Sequence, residues 1–143
     1  MTSIPPVGMG WPGRVARLFR SLGVSGSGLT AQQARMDTIA ENIANAETTR
    51  TAAGGPYRRK VVTVAPVPYG GGVRVLGTQQ DTRPGSTVYE PGHPDADANG
   101  FVHYPNVDVT GETVDLMVAR RAFEANATAF QVGREMLRRA LDL

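Results

Sequence analysis

Apolar residues recur every seven positions at both ends of this chain, and this spacing constrains the fold more than any other feature. The N-terminal series consists of Val15, Leu22, Leu29, Met36 and Ile43. The C-terminal series consists of Leu116, Phe123, Phe130 and Leu137, with Ala119, Asn126, Gly133 and Ala140 as a series of mostly small residues beside it. A seven-residue repeat predicts a helix with one narrow apolar seam, as in coiled coils.

The two seams predict helices at residues 14–47 and 110–143, the second with Thr110 as its N-cap. Three glycines at positions 23, 26 and 28 each cost about 1 kcal/mol inside a helix, so we expect an interruption at 23–28. Residues 1–13 contain three prolines and three glycines. We therefore expect a flexible N-terminal extension there.

Residues 48–109 differ in composition from both ends. Ten of the 17 glycines and seven of the ten prolines lie between positions 51 and 111. Four short β-type runs are found at 59–65, 73–80, 87–90 and 101–104. The first two, joined across 66–72, predict a hairpin with a longer loop. Four short strands with few large side chains do not form a stable sheet unaided.

These patterns together predict an α+β fold. The N- and C-terminal helices would pack antiparallel in a coiled coil or bundle, with the glycine- and proline-rich hairpin region at one end. Because two helices bury only one side of each other, we expect neighbouring chains to cover the remaining apolar faces. The expected assembly residues are Leu22, Leu29, Met36, Ile39, Asn42, Ile43, Asn45, Leu116, Phe123, Asn126, Phe130 and Leu137.

Three asparagines lie near the seams, at positions 42, 45 and 126. One interpretation is that they are solvent-facing or capping residues. The other is that they are buried and fix the register between helices, because only one alignment satisfies a buried amide.

Composition excludes several classes of function. The chain has no cysteine, which rules out disulfides and thiolate metal sites. Its net charge is +2, and acidic residues are interspersed among the 14 arginines, so we expect no nucleic-acid partner. No apolar run reaches about 18 residues, which argues against a membrane-spanning helix. The N-terminus also lacks the pattern of a cleaved secretory signal.

One motif resembles a metal site. Residues 95–100 read Asp-Ala-Asp-Ala-Asn-Gly and match the first half of an EF-hand calcium loop. The twelfth position of that loop would be Asn106 instead of a bidentate glutamate, and Pro94 prevents a helix from entering it. We therefore expect a fixed turn, in which the acidic side chains bond nearby amides and Gly100 takes a positive φ.

Two further groups of polar residues have an ordinary explanation. His93 and His103 are ten positions apart, with no cysteine or glutamate completing a site, so we expect a surface or interface role. The basic run 58–60 begins a predicted strand, where charge discourages wrong pairing or bonds an acidic neighbour. We predict no catalytic residue, no metal, no cofactor and no small-molecule substrate.

Several longer runs resemble a known family. Residues 25–49, with the core Asn-Ile-Ala-Asn-Ala at 42–46, resemble the N-terminal signature of flagellar rod and hook proteins. Runs at 49–60, 89–100 and 104–107 narrow the resemblance to proximal rod proteins of the FlgC type. Residues 119–126, Ala-Arg-Arg-Ala-Phe-Glu-Ala-Asn, are similar to the helix Ser-Arg-Ala-Tyr-Glu-Ala-Asn of that family. The resemblance covers residues 25–143, and residues 1–14 look like an extension.

The resemblance implies a structural subunit of the bacterial flagellar basal-body rod, with no enzymatic activity. Such subunits are exported from the cytoplasm through the flagellar type III export apparatus without a cleaved signal, and they assemble outside the inner membrane. Their partners are other rod proteins and further copies, and their terminal helices form the inner tube. The residues alone leave two alternatives: a secreted or soluble coiled-coil adaptor that forms no rod, and a small calcium-dependent or hydrolytic enzyme built on residues 95–106.

Overall fold

The computed structural model describes residues 12–142, so most of the predicted N-terminal extension lies outside the described residues. Its fold is α+β, as predicted, with two long helices and two small sheets. The elements in chain order are α1 (Pro12–Ala44), β1 (Lys60–Pro66), β2 (Val73–Gln80), β3 (Thr87–Tyr89), β4 (Phe101–His103) and α2 (Val109–Leu141). All four strands lie within one residue of the predicted runs.

Helix α1 is unbroken over its 33 residues, so the predicted interruption at 23–28 is wrong. Two of the three glycines are where α2 comes close. A Cβ on Gly28 would lie 2.9 Å from Nδ2 of Asn126, and one on Gly26 would lie 3.9 Å from Cε2 of Phe130. Most helix stability in proteins comes from tertiary packing, and that packing outweighs a propensity penalty of about 1 kcal/mol per glycine.

The two helices contact each other along their length. The pairs in contact are Leu22 with Gly133, Gly26 with Phe130, Gly28 with Asn126, and Asn42 with Glu112. Residue numbers therefore fall along α2 as they rise along α1. Glycines on both helices bring the backbones close, since a Cβ on Gly133 would lie 2.9 Å from Cδ2 of Leu22.

Both sheets are antiparallel hairpins, and the predicted hairpin of β1 with β2 is confirmed. The other sheet pairs β3 with β4. The β1–β2 register shifts between Thr63 and Val64, opposite the glycine at position 77, whose φ is 139°. This irregularity is a β-bulge, which bends the hairpin.

The β1–β2 hairpin lies lengthwise against α1. The Lys60 amide donates to Oδ1 of Asn42 (2.9 Å), and the Val73 amide donates to Oγ of Ser27 (3.1 Å). These two anchors are about 22 Å apart along the helix. For this hairpin, the expectation that the middle of the chain lies at one end is wrong. The strands instead shield one side of α1 that two helices alone would leave open.

The N-cap of α2 is Asp108, and the prediction of Thr110 is wrong. The Asp108 carboxylate accepts the amides of Thr110 and Gly111 at 3.2 Å each. An extended residue just before the helix can turn its side chain back to the free amides of the first turn, which a residue already inside the helix cannot do.

The buried core is small. Among residues 12–142, the buried apolar residues include Ala31, Ile39, Tyr57, Val102, Ala119 and Leu137. Neither α1 nor α2, within the described part of the chain, is apolar enough over a sufficient length to cross a membrane.

Candidate assembly site

Asn42 is the centre of a buried polar junction that ties α1 to β1 and α2. Its side chain is fully buried. Its Nδ2 donates to the Lys60 carbonyl (2.8 Å) and to Oε2 of Glu112 (3.1 Å). Its Oδ1 accepts the Tyr57 hydroxyl and the Lys60 amide, both at 2.9 Å. Because every hydrogen-bonding position of the amide is filled from three different segments, the junction defines one alignment of the two helices.

Glu112 brings a buried negative charge into this junction. Its side chain is only 2% exposed, and its Oε1 accepts a hydrogen bond from Nε of Arg59. The same guanidinium lies 3.7 Å from Asp115 and 4.0 Å from Asp81. The Glu112 carboxylate is therefore both paired and hydrogen-bonded, which a buried charge requires.

Tyr57 closes the junction on the side of the segment between α1 and β1. Burial, reinforced by the nearby carboxylates of Glu41 and Glu112, raises the pKa of its hydroxyl to about 12. The hydroxyl consequently stays protonated and keeps donating its hydrogen bond to Asn42.

The three seam asparagines play different parts. Asn42 is the buried, bonded residue described above. Asn45 makes local bonds near the end of α1, donating to the Glu41 carbonyl (2.9 Å) and accepting from the Thr48 hydroxyl (3.1 Å). Asn126 is half-buried and lies against Gly28 of α1. The capping interpretation thus fits Asn45. Asn42 and Asn126 differ from Asn45 because each of them contacts the other helix.

The predicted assembly residues are all buried or half-buried within the single chain. The structure places Ile39, Asn42 and Leu137 in the buried class, and it leaves the following half-buried: Leu22, Leu29, Met36, Ile43, Asn45, Leu116, Phe123, Asn126 and Phe130. The half-buried pair Leu29 and Phe123 lines an open groove of about 430 Å³ between the helices. The seams are therefore partly covered by the chain itself.

A second apolar stripe, which was not predicted from the sequence, runs along the exposed side of α2. We call this the outer stripe, and it consists of Val114, Met117, Val118, Val132 and Met136. These side chains are between 49% and 61% exposed. At 100° per residue, Val114, Val118, Val132 and Met136 lie within about 40° of one another around the helix.

The periodicity of the outer stripe was visible in the sequence. Val118, Ala125 and Val132 are seven positions apart, as are the residues of the buried seam. Buried Ala119 and Leu137 lie about 120° further around α2. Periodicity alone does not tell which of two such stripes faces the other helix of the same chain.

The run at 95–100 forms the predicted turn. Oδ1 of Asp97 accepts the amides of Asn99 and Phe101, both at 2.9 Å, and Gly100 has a φ of 83°. These amide bonds, the Phe101 bond first, hold the pKa of Asp97 below its usual value. In the described part of the chain, no group of three or more His, Asp or Glu side chains is placed to hold a metal ion.

The two histidines make local contacts around this turn. Nδ1 of His93 accepts the Asp95 amide (3.0 Å), and Nε2 of His103 lies 3.6 Å from Asp97.

The basic run at 58–60 bonds acidic neighbours, as one of its two interpretations predicted. Arg59 pairs with Glu112, and Nζ of Lys60 lies 2.5 Å from Glu41 of α1.

Comparison with known proteins identifies the family. Residues 22–50 match the family "Flagella basal body rod protein", and residues 98–143 match "Flagellar basal body rod FlgEFG protein C-terminal". The chain is 42% identical to the flagellar basal-body rod protein FlgC of Borreliella burgdorferi, over 87% of this chain and 95% of that protein.

Two further relatives carry the same name. Identity is 41% to FlgC of Salmonella typhimurium, over 88% of this chain and 97% of the relative. Identity is 39% to FlgC of Bacillus subtilis, over 87% of this chain and 97% of that relative. The chain therefore belongs to the flagellar basal-body rod proteins of the FlgC type and is a structural subunit of that rod, not an enzyme.

Proposed function

We propose that α1 and α2 form an antiparallel coiled coil in the inner tube of the rod, and that the outer stripe of α2 is the surface that neighbouring rod subunits cover. The observation that carries this proposal is the outer stripe itself, which extends over 23 residues of α2 while another side of the helix contacts α1. A row of exposed apolar residues on a helix is typical of an interaction surface.

The helix contacts support the antiparallel coiled coil. Leu22 lies against Gly133 near the chain termini, and Asn42 lies against Glu112 at the other end of the pair. The Asn42 junction would set the register of this pair, and it would thereby fix where the outer stripe is presented. Under this proposal, the two helical segments, 14–47 and 110–143, act as one unit. The region outside this unit is formed by residues 48–109.

The twelve residues predicted for assembly then divide by role. Those that are buried hold the two helices of one chain together. Half-buried residues beside the open groove, such as Leu29 and Phe123, would gain further cover from a neighbour. Most of the contact with other subunits would be made by the outer stripe.

The outer stripe has enough apolar surface to matter energetically. Full burial of a Val or Met side chain contributes about 1.5–3 kcal/mol. Because these five side chains are already about half covered, each would add about 1 kcal/mol in the rod, or about 5 kcal/mol together. The cost of ordering two subunits reduces this upper bound.

We test this with the double variant Val118→Asp/Val132→Asp, expressed in place of the wild-type chain in a deletion strain. Two carboxylates in a surface that must become buried should abolish completed basal bodies and swimming in soft agar. The matched control is Gln131→Asp, an exposed position of the same helix that lies off the stripe. Immunoblots confirm equal protein levels. Normal motility with the double variant would contradict the proposal.

We further propose that the chain is exported through the flagellar type III apparatus without cleavage, and that it lies where the rod crosses the periplasm. Its similarity to named flagellar basal-body rod proteins supports this. Mass spectrometry of the chain recovered from purified basal bodies provides the test. A mass that lacks an N-terminal segment would refute uncleaved export.

A further inference from the structure

Charge is distributed very unevenly along the molecule. We define the helix tip as residues 12–35 and 119–142, which lie side by side at the end of the helix pair where α1 begins and α2 ends. We call residues 36–118, which include the β1–β2 hairpin beside α1, the base. The helix tip contains nine arginines against three acids. The base contains six basic residues against ten acids. The small net charge of +2 is therefore the sum of a positively charged tip and a negatively charged base.

The helix-tip arginines whose side chains the structure describes are available at the surface. Arg17, Arg20, Arg134 and Arg138 are all exposed. The ion pairs found within the described part of the tip are Arg139–Glu135 (3.3 Å) and Arg120–Glu124 (3.2 Å), each between residues four apart on α2. Apolar Phe19 and Leu141 are 56% and 62% exposed among these arginines. Guanidinium groups beside exposed apolar side chains form a surface typical of protein interfaces.

The base has an acidic surface around Tyr104. The Tyr104 hydroxyl lies 3.2 Å from Oε2 of Glu90, and its pKa is raised by burial first and then by the charges of Glu90 and Glu47. Asp95 and Asp97 belong to the adjoining turn. Arg50, 3.2 Å from Asp95, is the cation that pairs with this surface among the described contacts.

The two charged ends cannot neutralise each other within one molecule. A 33-residue helix is about 50 Å long. The Debye length at physiological ionic strength is about 8 Å. Arg20 is 24 residues, or about 36 Å, along α1 from its last residue, Ala44. The outer arginines of the tip are thus several Debye lengths from the acids that follow α1 in the same chain, but they would be adjacent to those acids if the tip of one copy met the base of another.

We infer that the basic helix tip of one copy docks on the acidic base of the next copy, giving a head-to-tail contact. Such a heterologous contact leaves an unused tip at one end and an unused base at the other. Complementary charge of this kind favours one orientation of approach and penalises tip-to-tip and base-to-base encounters. This inference rests on the proposed function, and it adds the partner surface and the direction of stacking.

Site-specific crosslinking tests the contact directly, because the chain has no natural cysteine. The full-length chain would carry Ala16→Cys at the tip and Ala98→Cys at the base, both exposed neutral positions. Head-to-tail contacts predict a ladder of disulfide-linked oligomers under mild oxidation. A side-by-side antiparallel pair would give dimers only, and that result would overturn the inference.

Charge reversal then tests the cause. Arg134→Glu/Arg138→Glu in the tip should lower the rate of tip-to-base crosslinking about tenfold at low salt, because electrostatic steering accelerates association about 10-fold or more. The matched control Arg74→Glu, an exposed position on β2, makes the same type of change outside the tip and outside the acidic surface around Tyr104. Mixing the tip variant with a Glu47→Arg base variant should restore part of the rate. Equal rates for all these proteins, or no loss of rate in about 0.3 M salt, would overturn the inference.

Two further outcomes distinguish the head-to-tail contact from lipid binding by the tip and from contact through the outer stripe. If the wild-type tip binds vesicles of phosphatidylglycerol and forms no ladder, the tip is a lipid-binding surface and the inference is wrong. If the charge reversals leave rod assembly intact while Val118→Asp/Val132→Asp abolishes it, the head-to-tail inference fails and the proposed function stands. The converse result would refute the proposed function alone.

Discussion

Replacement of Asn42 by alanine tests the Asn42 junction most directly. The change removes the amide that accepts the Tyr57 hydroxyl and the Lys60 amide and donates to the Lys60 carbonyl and Glu112. All these bonds lie in a region where Asn42 itself is fully buried, so water cannot readily replace them. The partners would be left with unsatisfied polar groups.

The expected loss of stability follows from those groups. Each net hydrogen bond contributes about 0.5–1.5 kcal/mol, and each buried group left unpaired costs about 1–3 kcal/mol. With four bonds removed, and allowing for some rearrangement, we expect the free energy of unfolding to fall by about 3–5 kcal/mol. A loss of this size is at the upper end for a single substitution.

Urea unfolding of the purified full-length chain, followed by circular dichroism at about 222 nm, measures this loss. With a slope of about 2 kcal/mol per M urea, the midpoint should fall by about 2 M. Asn45→Ala is the matched control, since Asn45 is half-buried and bonds only its own region, the Glu41 carbonyl and Thr48. We expect it to cost about 1 kcal/mol.

A clear result would refute this reasoning. If Asn42→Ala and Asn45→Ala lowered the midpoint equally, the junction would not fix the helix pair, and packing along the seam would have to supply the register.

Two other predictions concern single polar contacts. Asp108→Ala should lower the free energy of unfolding by about 1 kcal/mol, because the N-cap of α2 is lost. Thr110→Ala should lower it much less, as measured by the urea midpoint. Equal effects of the two substitutions would contradict the assignment of the cap. Hydrogen bonds and charge from Arg83 lower the pKa of Asp81 to about 2. The stabilising contribution of this carboxylate is therefore present above about pH 4, and it is lost as the pH falls towards 2. In an NMR titration of the carboxyl carbon, Arg83→Gln should move the Asp81 midpoint up towards 3.8, and an unchanged midpoint would show that Arg83 is not the cause.

Local features of this protein were predictable from sequence to the extent that their causes are local. The turn at 95–100 follows from Asx side chains that bond amides two and four residues away, with glycine at the position of positive φ. The β1–β2 hairpin likewise follows from two β-type runs around a proline- and glycine-rich loop. The cap of α2 was misplaced by two residues because Asp108 and Thr110 are both acceptable cap residues, and only the backbone conformation distinguishes them.

Predictions from sequence were wrong where a residue's environment is supplied by a distant part of the chain. The glycines of α1 look like helix breakers when only propensity is considered, yet Gly28 is the place where Asn126 packs closely against the helix. Asn42 and Asn45 are three positions apart in similar sequence, but only Asn42 meets Tyr57 and Glu112.

The sequence by itself determined the two helices, the short strands and the kinship with rod proteins, because seven-residue periodicity and extended motifs are properties of the order of residues. Tertiary structure alone decided which stripe of α2 is covered by α1 and which is left to solvent. Both stripes contain apolar residues spaced by multiples of seven, such as Val118 and Val132 in the outer stripe, and burial depends on the surface that approaches each stripe. The same holds for the Asn42 junction, whose hydrogen bonds join positions up to 70 residues apart.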